Sequence, residues 1–327
     1  MLHPACTRHF RSFTGPAIQT LFPVQNYFRQ FRRLISISAK GIPPGSWDSH
    51  MHVTDPERFP ISGNATYQPH AAPLVSALAN ARALNLPNLV FIQPSTYGTD
   101  NSCLLEALKT VGPSHGRGVV AVDPKEVSSD TLHRWHTLGV RGVRLNLKSI
   151  GKKLSKDELV RTIETHAELV RTMKTWVLQL YLDLPEIEGI EHLFSELNIK
   201  TVLDHYGSPS ATRPSQIPEW HSLLRIMQSP CAYVKISAPY RLSKDPEYKD
   251  LESITKELFK VRNGKCLVFA SDWPHTRFEG VSVNPFIERC LEWCDHDENL
   301  KNHLFRDNAK KLWDVKDENF PKTVLQN

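Results

Sequence analysis

The amino-acid sequence predicts an α/β protein whose chain closes into a (β/α)8 TIM barrel. After Asp48, short apolar runs alternate with segments of helical period, which is the pattern of right-handed βαβ units around a parallel sheet. Eight such units fit into residues 47–315, and barrels of this kind typically need about 250 residues. An open doubly wound sheet is the alternative. No G-x-G-x-x-G motif follows the first apolar run, so the usual dinucleotide-binding signature of that fold is missing.

The eight apolar runs are the predicted strands. In chain order they are Trp47–Val53, Leu89–Gln93, Gly118–Val122, Gly142–Leu147, Trp176–Tyr181, Thr201–His205, Ala232–Ser237 and Cys266–Ser271. The predicted helices that follow them are Ala72–Ala83, Ser102–Val111, Ser129–Leu138, Ser155–Thr172, Leu184–Leu197, Pro218–Met227, Pro246–Arg262 and Asn284–Cys294. The stretch Ser155-Lys156-Asp157-Glu158 has the pattern of a capping box. We expect a closing helix between Leu300 and Leu312, and then a polar tail over residues 316–327.

The segment before the barrel differs in composition from the rest of the chain. Residues 1–47 contain six Arg and Lys side chains and no Asp or Glu. This segment is therefore +6, and since the whole chain is +5, the remainder is 5 − 6 = −1. A basic, acid-free segment with Ser and Thr is typical of a mitochondrial transit peptide. We expect residues 1–46 to be a disordered leader that directs the protein to the mitochondrial matrix. The alternatives are a cytoplasmic protein with a basic tail or a misassigned start codon.

Charge and hydropathy exclude several partners. Because the body of the chain is close to neutral, nothing in it indicates nucleic-acid binding. No apolar run approaches the ~20 residues that a membrane span needs, so no membrane partner is expected. The six cysteines are scattered and follow no secretory signal, so a disulfide framework is not expected. The oligomeric state is left open by the sequence.

Two histidines in the first predicted strand are the first chemical signal. His50 and His52 are two residues apart, so in a strand their side chains point to the same face. In parallel barrels the active site forms at the carboxyl ends of the strands. Polar residues end nearly all of the other apolar runs, although the runs themselves are apolar: they are Gln93, Ser95, Asp123, Arg144, Asn146, Gln179, Tyr181, Asp204, His205, Lys235, Ser237, Arg241 and Asp272. These ends predict a polar cleft.

Asp272 is the candidate for the central group in this cleft. A carboxylate at a strand end among imidazoles can remove a proton from water, and it can equally bind a divalent ion together with His50 and His52. Arg144 and Arg241 suit an anionic group on a substrate, because guanidinium pairs with carboxylate in a bidentate manner. A structural ion pair is the alternative for Arg144. No G-x-S-x-G nucleophile motif is present, which favours water as the nucleophile.

In these motifs the chain resembles the amidohydrolase superfamily, in particular the amidohydrolase-related branch that contains 2-pyrone-4,6-dicarboxylate lactonase. The matching motifs are DSHMHVTDPERFP at 48–60, IQPSTYGTDNSCLLEAL at 92–108, RGVRLNL at 141–147, LDHYGSP at 203–209, VKISAPYRLS at 234–243 and ASDWPHT at 270–276. They lie in order along nearly the whole chain after Asp48. They are specific for the branch and much less specific for the substrate.

The resemblance implies a role for each matching residue. Asp272 matches the base that activates water, His50 and His52 match an H-x-H beside the lactone carbonyl, and His205 matches a histidine that contacts substrate. The matching substrate-binding positions are Ser95, Arg144, Tyr181 and Arg241, with Tyr67 as a further candidate in the loop after the first strand.

Two departures from the family pattern concern the substrate. Ile150 and Ser208 stand where the lactonase has arginines, which implies a less anionic substrate than a pyrone dicarboxylate, and Lys148 is a candidate to compensate in part. Zinc-dependent relatives generally place a histidine on the fifth strand, where this chain has Gln179 and Tyr181. The resemblance therefore favours no cofactor, and it leaves open one zinc ion held by His50, His52 and Asp272.

Three hypotheses follow. The first is a hydrolase that opens a cyclic ester, a lactone bearing a carboxylate, with water activated by Asp272. The second is a zinc-dependent decarboxylase of an aromatic or semialdehyde acid on the same barrel. The third is a barrel that binds a small acid without catalysis.

Overall fold

The computed structural model describes residues 41–316, and it confirms the predicted barrel. Eight parallel strands follow one another in chain order around a single sheet. They are β1 (Trp47–Met51), β2 (Asn88–Ile92), β3 (Gly116–Val120), β4 (Val140–Asn146), β5 (Val177–Tyr181), β6 (Lys200–Leu203), β7 (Ala232–Ile236) and β8 (Leu267–Phe269). The chain just after β8 meets β1, where Asp272 N donates to His50 O at 2.9 Å and His52 N donates to Trp273 O at 2.8 Å.

Helices alternate with the strands on the outside of the barrel. They are α1 (Leu74–Ala83), α2 (Ser102–Val111), α3 (Ser129–Leu138), α4 (Lys156–Thr172), α5 (Leu193–Glu196), α6 (Trp220–Ile226), α7 (Glu252–Lys260), α8 (Asn284–Trp293), α9 (Glu298–Asn302) and α10 (Asn308–Leu312), with a π-helical turn at His303–Asp307 between the last two. The capping box before α4 is present: Ser155 Oγ accepts from Glu158 N, and Glu158 Oε2 accepts from Ser155 N at 2.9 Å.

Two predicted helices are shorter than the sequence indicates. The region Leu184–Leu197 contains only a 3₁₀ turn and the four-residue α5, because Gly189 between them has a φ of +78° that a helix cannot contain. The predicted helix Pro246–Arg262 begins only at Glu252, since Tyr248 adopts φ +61°.

Most of the predicted strands end one or two residues earlier than expected, so that His52, for example, lies just after β1. Two further early ends matter for the carboxyl end of the barrel. β6 ends at Leu203 and β8 ends at Phe269, so His205 and Asp272 lie in the turns just beyond. Both residues have left-handed backbone, with φ +51° and +59°. Such conformations are uncommon for residues with a Cβ and cluster at functional sites.

The amino-terminal end of the barrel is closed by apolar side chains and by the segment that follows α10. Trp47 and Trp313 are fully buried and pack with the inward-facing valines of the strands. Arg117 donates to Trp313 O at 2.9 Å, and Arg141 pairs with Asp314 at 3.3 Å. The carboxyl end is therefore the open end at which a ligand can enter. Among the described residues, no helix is both long and apolar enough to cross a membrane.

Candidate active site

Three imidazoles and one carboxylate meet at the carboxyl end of the barrel. His50 Nε2 lies 3.3 Å from His52 Nε2. Asp272 Oδ1 lies 3.4 Å from His50 Nε2, 3.7 Å from His52 Nε2 and 3.8 Å from His205 Nε2. All four side chains are buried. His50 and His52 come from β1 and the residues just after it, and His205 and Asp272 come from the turns after β6 and β8. The barrel thus brings residues that are over 200 positions apart in sequence into one cluster.

The two oxygens of Asp272 have different surroundings. Oδ2 accepts a hydrogen bond from Tyr240 OH at 2.6 Å and one from Arg241 Nε at 3.2 Å. Oδ1 faces the imidazoles. Burial alone would raise the pKa of Asp272, but His205, Arg241 and His50 outweigh it and hold the pKa well below its usual range. The residue is therefore an ionised carboxylate with one oxygen fixed and the other directed toward the cluster.

The histidines are held in their neutral form. Burial lowers the pKa of His52 to about 4, with Arg144 adding to the effect, and burial likewise lowers the pKa of His205 to about 4. For His50, burial and the neighbouring Lys235 lower the pKa well below the ordinary value. At neutral pH these side chains are imidazoles that donate at one nitrogen and accept at the other.

A second layer of buried charges lies beneath the cluster. Asp204 Oδ2 accepts from Arg144 at 3.0 Å and from Gln179 Nε2 at 3.0 Å. Lys235 Nζ contacts Gln179 Oε1 at 2.8 Å, His50 Nδ1 at 3.2 Å and Asp204 Oδ1 at 3.3 Å. Burial lowers the pKa of Lys235 to about 8, against the opposing effect of Asp204, so the side chain is mainly an ammonium at neutral pH. Arg144 is thus both an ion-pair partner and a pocket residue.

The pocket above the cluster brings together eight of the nine predicted site residues. Its lining includes His52, Tyr67, Ser95, Arg144, Tyr181, His205, Arg241 and Asp272. His50 is the exception, because it is fully buried behind His52 and Asp272. Burial raises the pKa of Tyr181 to about 12, so its hydroxyl keeps its proton and can donate.

Several residues in or around the site were missing from the predicted set. Tyr240 and Arg277 lie in turns after β7 and β8, where no periodicity marks them. Asp204, Gln179 and Lys235 were recognised as polar strand ends but were not assigned a role. Their spacing offers a signal. Gln179 is two residues before Tyr181, which lines the pocket, and Lys235 is two residues before Ser237, which contacts His205, so each points to the barrel interior one layer below these residues.

The cluster has the composition of a metal site. His50, His52 and Asp272 each offer one ligand atom, and within the described residues these atoms lie within 4.8 Å of one another; the same is true of His50, Asp204 and His205. Imidazole nitrogen and carboxylate oxygen are ligands that zinc accepts. By donor type and spacing, His50, His52 and Asp272 therefore fit a divalent ion, provided that both imidazoles turn an unprotonated Nε2 toward it.

Comparison with known proteins identifies the family to which the chain belongs. The 4-sulfomuconolactone hydrolase of Hydrogenophaga intermedia is 28% identical over 282 residues, which cover 83% of this chain and 89% of that protein. The 2-pyrone-4,6-dicarboxylate hydrolase of Comamonas testosteroni is 28% identical over 290 residues, which cover 83% and 91%. The crystal structure of a candidate 2-pyrone-4,6-dicarboxylic acid hydrolase from Pseudomonas putida superposes with a TM-score of 0.69 at 29% identity and covers 84% of this chain and 98% of its own. The family model described as Amidohydrolase matches residues 47–315, the whole barrel, and the chain therefore belongs to the amidohydrolase family.

Proposed function

We propose that this protein is a hydrolase that opens a lactone carrying a negatively charged group. The observation that carries the proposal is the asymmetric setting of Asp272. Tyr240 and Arg241 hold Oδ2, and Oδ1 lies among neutral imidazoles. A fixed, ionised carboxylate beside a pocket is the arrangement that a general base for water requires. The relatives that share the barrel are named as hydrolases of lactones.

In the proposed reaction Asp272 Oδ1 takes one proton from a water molecule, and the water oxygen bonds to the lactone carbonyl carbon. The carbonyl oxygen becomes an oxyanion. Tyr181 and His205 line the pocket and can donate to this oxyanion, which favours the transition state over the substrate. The tetrahedral intermediate then breaks the bond between the carbonyl carbon and the ring oxygen. The ring oxygen takes the proton that Asp272 removed from water, which returns Asp272 to its ionised form. The new carboxylic acid releases its proton to solvent, and a carboxylate and a hydroxyl group are formed.

The charge around the pocket supports an anionic substrate. Arg144, Arg241 and Arg277 all line it, with Ser95 and Tyr67 as further polar contacts. Lys148, the candidate for a compensating charge, has its Nζ paired with Asp183 at 2.7 Å, and its contribution to substrate binding stays a prediction. We propose a small carboxylated lactone with Arg144 and Arg241 orienting its carboxylate.

A bound divalent ion is compatible with this proposal. His50, His52 and Asp272 would hold it, and it would polarise the lactone carbonyl as a Lewis acid. The residues of the chain keep the same duties with or without the ion: Asp272 moves the proton, and the arginines orient the substrate.

The test is a panel of lactones with and without a second anionic group, assayed before and after treatment with chelator. Aromatic carboxylic acids are included for the decarboxylase hypothesis. Hydrolysis of an anionic lactone, lost in Asp272→Asn, is the expected result. Turnover of the acids only, with zinc required, would overturn the proposal in favour of decarboxylation. Binding of these compounds without turnover would overturn it in favour of a non-catalytic barrel.

We also propose that the basic amino-terminal segment is a mitochondrial targeting sequence, a prediction that falls on residues 1–46. Residues 1–40 lie outside the described part of the chain, as do residues 317–327 of the predicted tail. The proposal rests on the +6, acid-free composition of residues 1–47. Fusing residues 1–47 to a fluorescent protein should direct it to mitochondria. A diffuse cytosolic signal would overturn the targeting proposal and leave the hydrolase proposal unaffected.

A further inference from the structure

We infer that the lactone carries an apolar substituent, an alkyl or aryl group, and that this group lies in a cleft beside β4 in contact with Ile150. This assignment rests on the proposed function and deepens it, because it names the chemistry of a second part of the substrate. Three observations lead to it: the small space above Asp272, the walls of the two cavities beside that space, and the exposure of Ile150.

The space directly above the cluster is small. The pocket that contains Asp272 and His205 has a volume of about 30 Å³. It holds about two water molecules, since one water needs about 10–15 Å³. The reacting carbonyl and the attacking water can occupy this pocket, whereas the rest of a substrate needs adjoining space. Two larger cavities lie at the same end of the barrel, and each shares lining residues with the pocket.

The larger of these two cavities is named here the β4 cleft. Its volume is about 780 Å³, and ligand pockets typically have about 300–1,000 Å³. Its lining comes from the turns after β2, β3 and β4 and from α4. Pro94, Ser95 and Arg144 line both the cleft and the pocket. A carboxylate bound by Arg144 therefore lies where the two cavities meet, and a second substituent on the same ring can enter the cleft.

Much of the lining of the β4 cleft is apolar. Its large aliphatic side chains are Val122, Leu145, Leu147, Ile150 and Leu154. The charged residues of the lining other than Arg144 are all exposed, so they form the rim of the cleft: Asp123, Lys125, Lys152, Glu158 and Arg161. Removing an aliphatic surface from water by contact with an apolar ligand group is favourable. The cleft therefore suits an alkyl or aryl group that has solvent and mixed charges only at its outer edge.

Ile150 provides most of the free apolar surface in this lining. Leu145 and Leu147 are buried, whereas Ile150 is 41% exposed. A single exposed apolar side chain is common on protein surfaces, so the position of Ile150 decides its meaning. Its neighbour Ser149 lines the pocket, and Ile150 itself lines the cleft. The exposed aliphatic surface thus lies at the boundary that a substituent of a bound ring would cross.

The other large cavity has a different character. Its volume is about 440 Å³, and among the described residues its lining includes Lys148, Arg241 and Arg277 but no Asp or Glu. Its exposed aromatic residue, Phe278, is already packed on Tyr240, with ring centres 5.0 Å apart. This cavity suits anionic groups, and the β4 cleft suits apolar ones. Two substituents of opposite chemistry can therefore be directed to opposite sides of the reacting carbonyl.

A series of lactones with one ring and one carboxylate, and with an alkyl substituent that grows from methyl to hexyl, tests this assignment. We expect kcat/KM to rise about two- to fourfold with each added methylene until the cleft is filled, which is the scale of burying one CH₂ group. The gain should be in KM, with kcat nearly constant, because the substituent is bound equally in the substrate and in the transition state.

Ile150→Asn keeps the size of the side chain and makes it polar. It should lower kcat/KM for the hexyl lactone by about five- to tenfold and that for the methyl lactone by less than about twofold. Ile150→Leu should retain the wild-type values. Val75→Asn is the matched control, because Val75 is also an exposed aliphatic residue but lies on α1, outside the linings of the cleft and the pocket. It should change neither lactone.

Three results would overturn the assignment. They are a kcat/KM that does not depend on chain length, an equal loss for the methyl and hexyl lactones in Ile150→Asn, and a loss of the same size in Val75→Asn. Light scattering provides a further check. A changed oligomeric state in Ile150→Asn, with the dependence on chain length intact, would assign the cleft to a protein contact and overturn its role in substrate binding.

Binding without turnover separates this assignment from the proposed function. Calorimetry with the ring-opened hydroxy acids of the same series should show affinity that rises with chain length and falls in Ile150→Asn. If no lactone is hydrolysed but this pattern is found, the proposed function fails and the apolar subsite is supported. If the methyl lactone is hydrolysed and neither kinetics nor calorimetry depends on chain length, the proposed function stands and the subsite is overturned.

Discussion

Both ends of the barrel bury an arginine, and the two side chains are satisfied in different ways. At the amino-terminal end, Arg117 donates to the carbonyl oxygens of Trp313 at 2.9 Å, Gly116 at 2.9 Å and Asp314 at 3.3 Å. At the carboxyl end, Arg144 donates to Asp204 at 3.0 Å and to Gln93 O at 3.2 Å, and its Nε has no partner within the described residues. The first arginine is fully occupied by the protein, and the second is not.

This difference suggests that the amino-terminal end of the barrel serves stability and the carboxyl end serves ligand binding. Buried polar groups are nearly always hydrogen-bonded, so an unmatched donor in a residue that lines a pocket calls for a further partner. Arg117 joins β3 to the segment that follows α10, and burial, with a contribution from Arg141, lowers its pKa to about 10. Arg144 instead lines the pocket together with Asp272. Substitutions at the two ends should therefore separate into effects on stability and effects on turnover.

The largest effect is expected at Asp272. Asp272→Asn keeps the shape and removes the base, so kcat should fall by ~10²–10⁴-fold while the fold is retained. Asp314→Asn makes the same change at the opposite end, where Asp314 pairs with Arg141, and should leave kcat unchanged. Steady-state kinetics and circular dichroism measure both. A variant of Asp272 that keeps more than about a tenth of wild-type turnover would show that another group is the base.

The carboxyl end should also determine how stability responds to acid. Unfolded histidines bind protons near the ordinary pKa of 6.5, but His52 and His205 bind them only near 4 in the folded state. The unfolded state therefore takes up protons first, and the stability that these groups contribute above about pH 6.5 is lost as the pH falls toward 4. The loss should be on the order of a few kcal/mol.

Chemical denaturation at a series of pH values measures this slope. In His52→Gln and His205→Gln the slope between these two pKa values should decrease. A slope that remains the same in both variants would place the acid sensitivity elsewhere in the protein.

Arg144 and Arg117 test the comparison most directly. Arg144→Met should lower kcat/KM for an anionic lactone by about 10–100-fold, because a hydrogen bond to a charged group is worth about 1.5–3 kcal/mol. A neutral lactone should be affected much less. An equal loss for both lactones would mean that Arg144 acts through Asp204 and not on the substrate.

Arg117→Met should change stability and leave catalysis intact. The carbonyl oxygens of Trp313 and Gly116 lose their donor, which costs about 1–3 kcal/mol in the free energy of unfolding. Denaturant titration measures this cost, and kinetics of the folded variant should match the wild type. A reduced kcat/KM would contradict the division of the barrel into a structural and a functional end.

The barrel could be predicted from the sequence because its signals are local. Apolar runs alternate with helical segments, and parallel strands place their carboxyl ends together, so His50, His52 and Asp272 could be grouped without coordinates. Local signals failed where the conformation of a single residue determines whether a helix continues. Gly189 is the example, because its positive φ divides the predicted helix Leu184–Leu197.

The contacts between side chains from different strands and turns at the carboxyl end of the barrel could not be predicted in this way. Whether Lys235 reaches His50 depends on the register between β7 and β1 across the barrel and on side-chain rotamers, and no spacing in the sequence encodes either. The same holds for the two oxygens of Asp272, since Tyr240 approaches one of them from a turn after β7. The sequence predicted residues that the structure brings together at one end of the barrel, and the structure adds which atom faces which.

The smallest effect is expected at Arg277, at the rim of the functional end. Its guanidinium lies 4.8 Å from the centre of the Tyr67 ring, is exposed, and has no carboxylate within ion-pair distance among the described residues. Arg277→Met should raise KM for a lactone with two anionic groups by about two- to fivefold and leave kcat unchanged, since an exposed charge contributes ~1 kcal/mol or less. Salt should reduce the difference between variant and wild type.

Arg58 is a matched exposed arginine that stacks on Phe59 and pairs with Glu106, so Arg58→Met should leave KM unchanged. If KM rises equally for a lactone with a single anionic group, Arg277 does not bind the second anionic group.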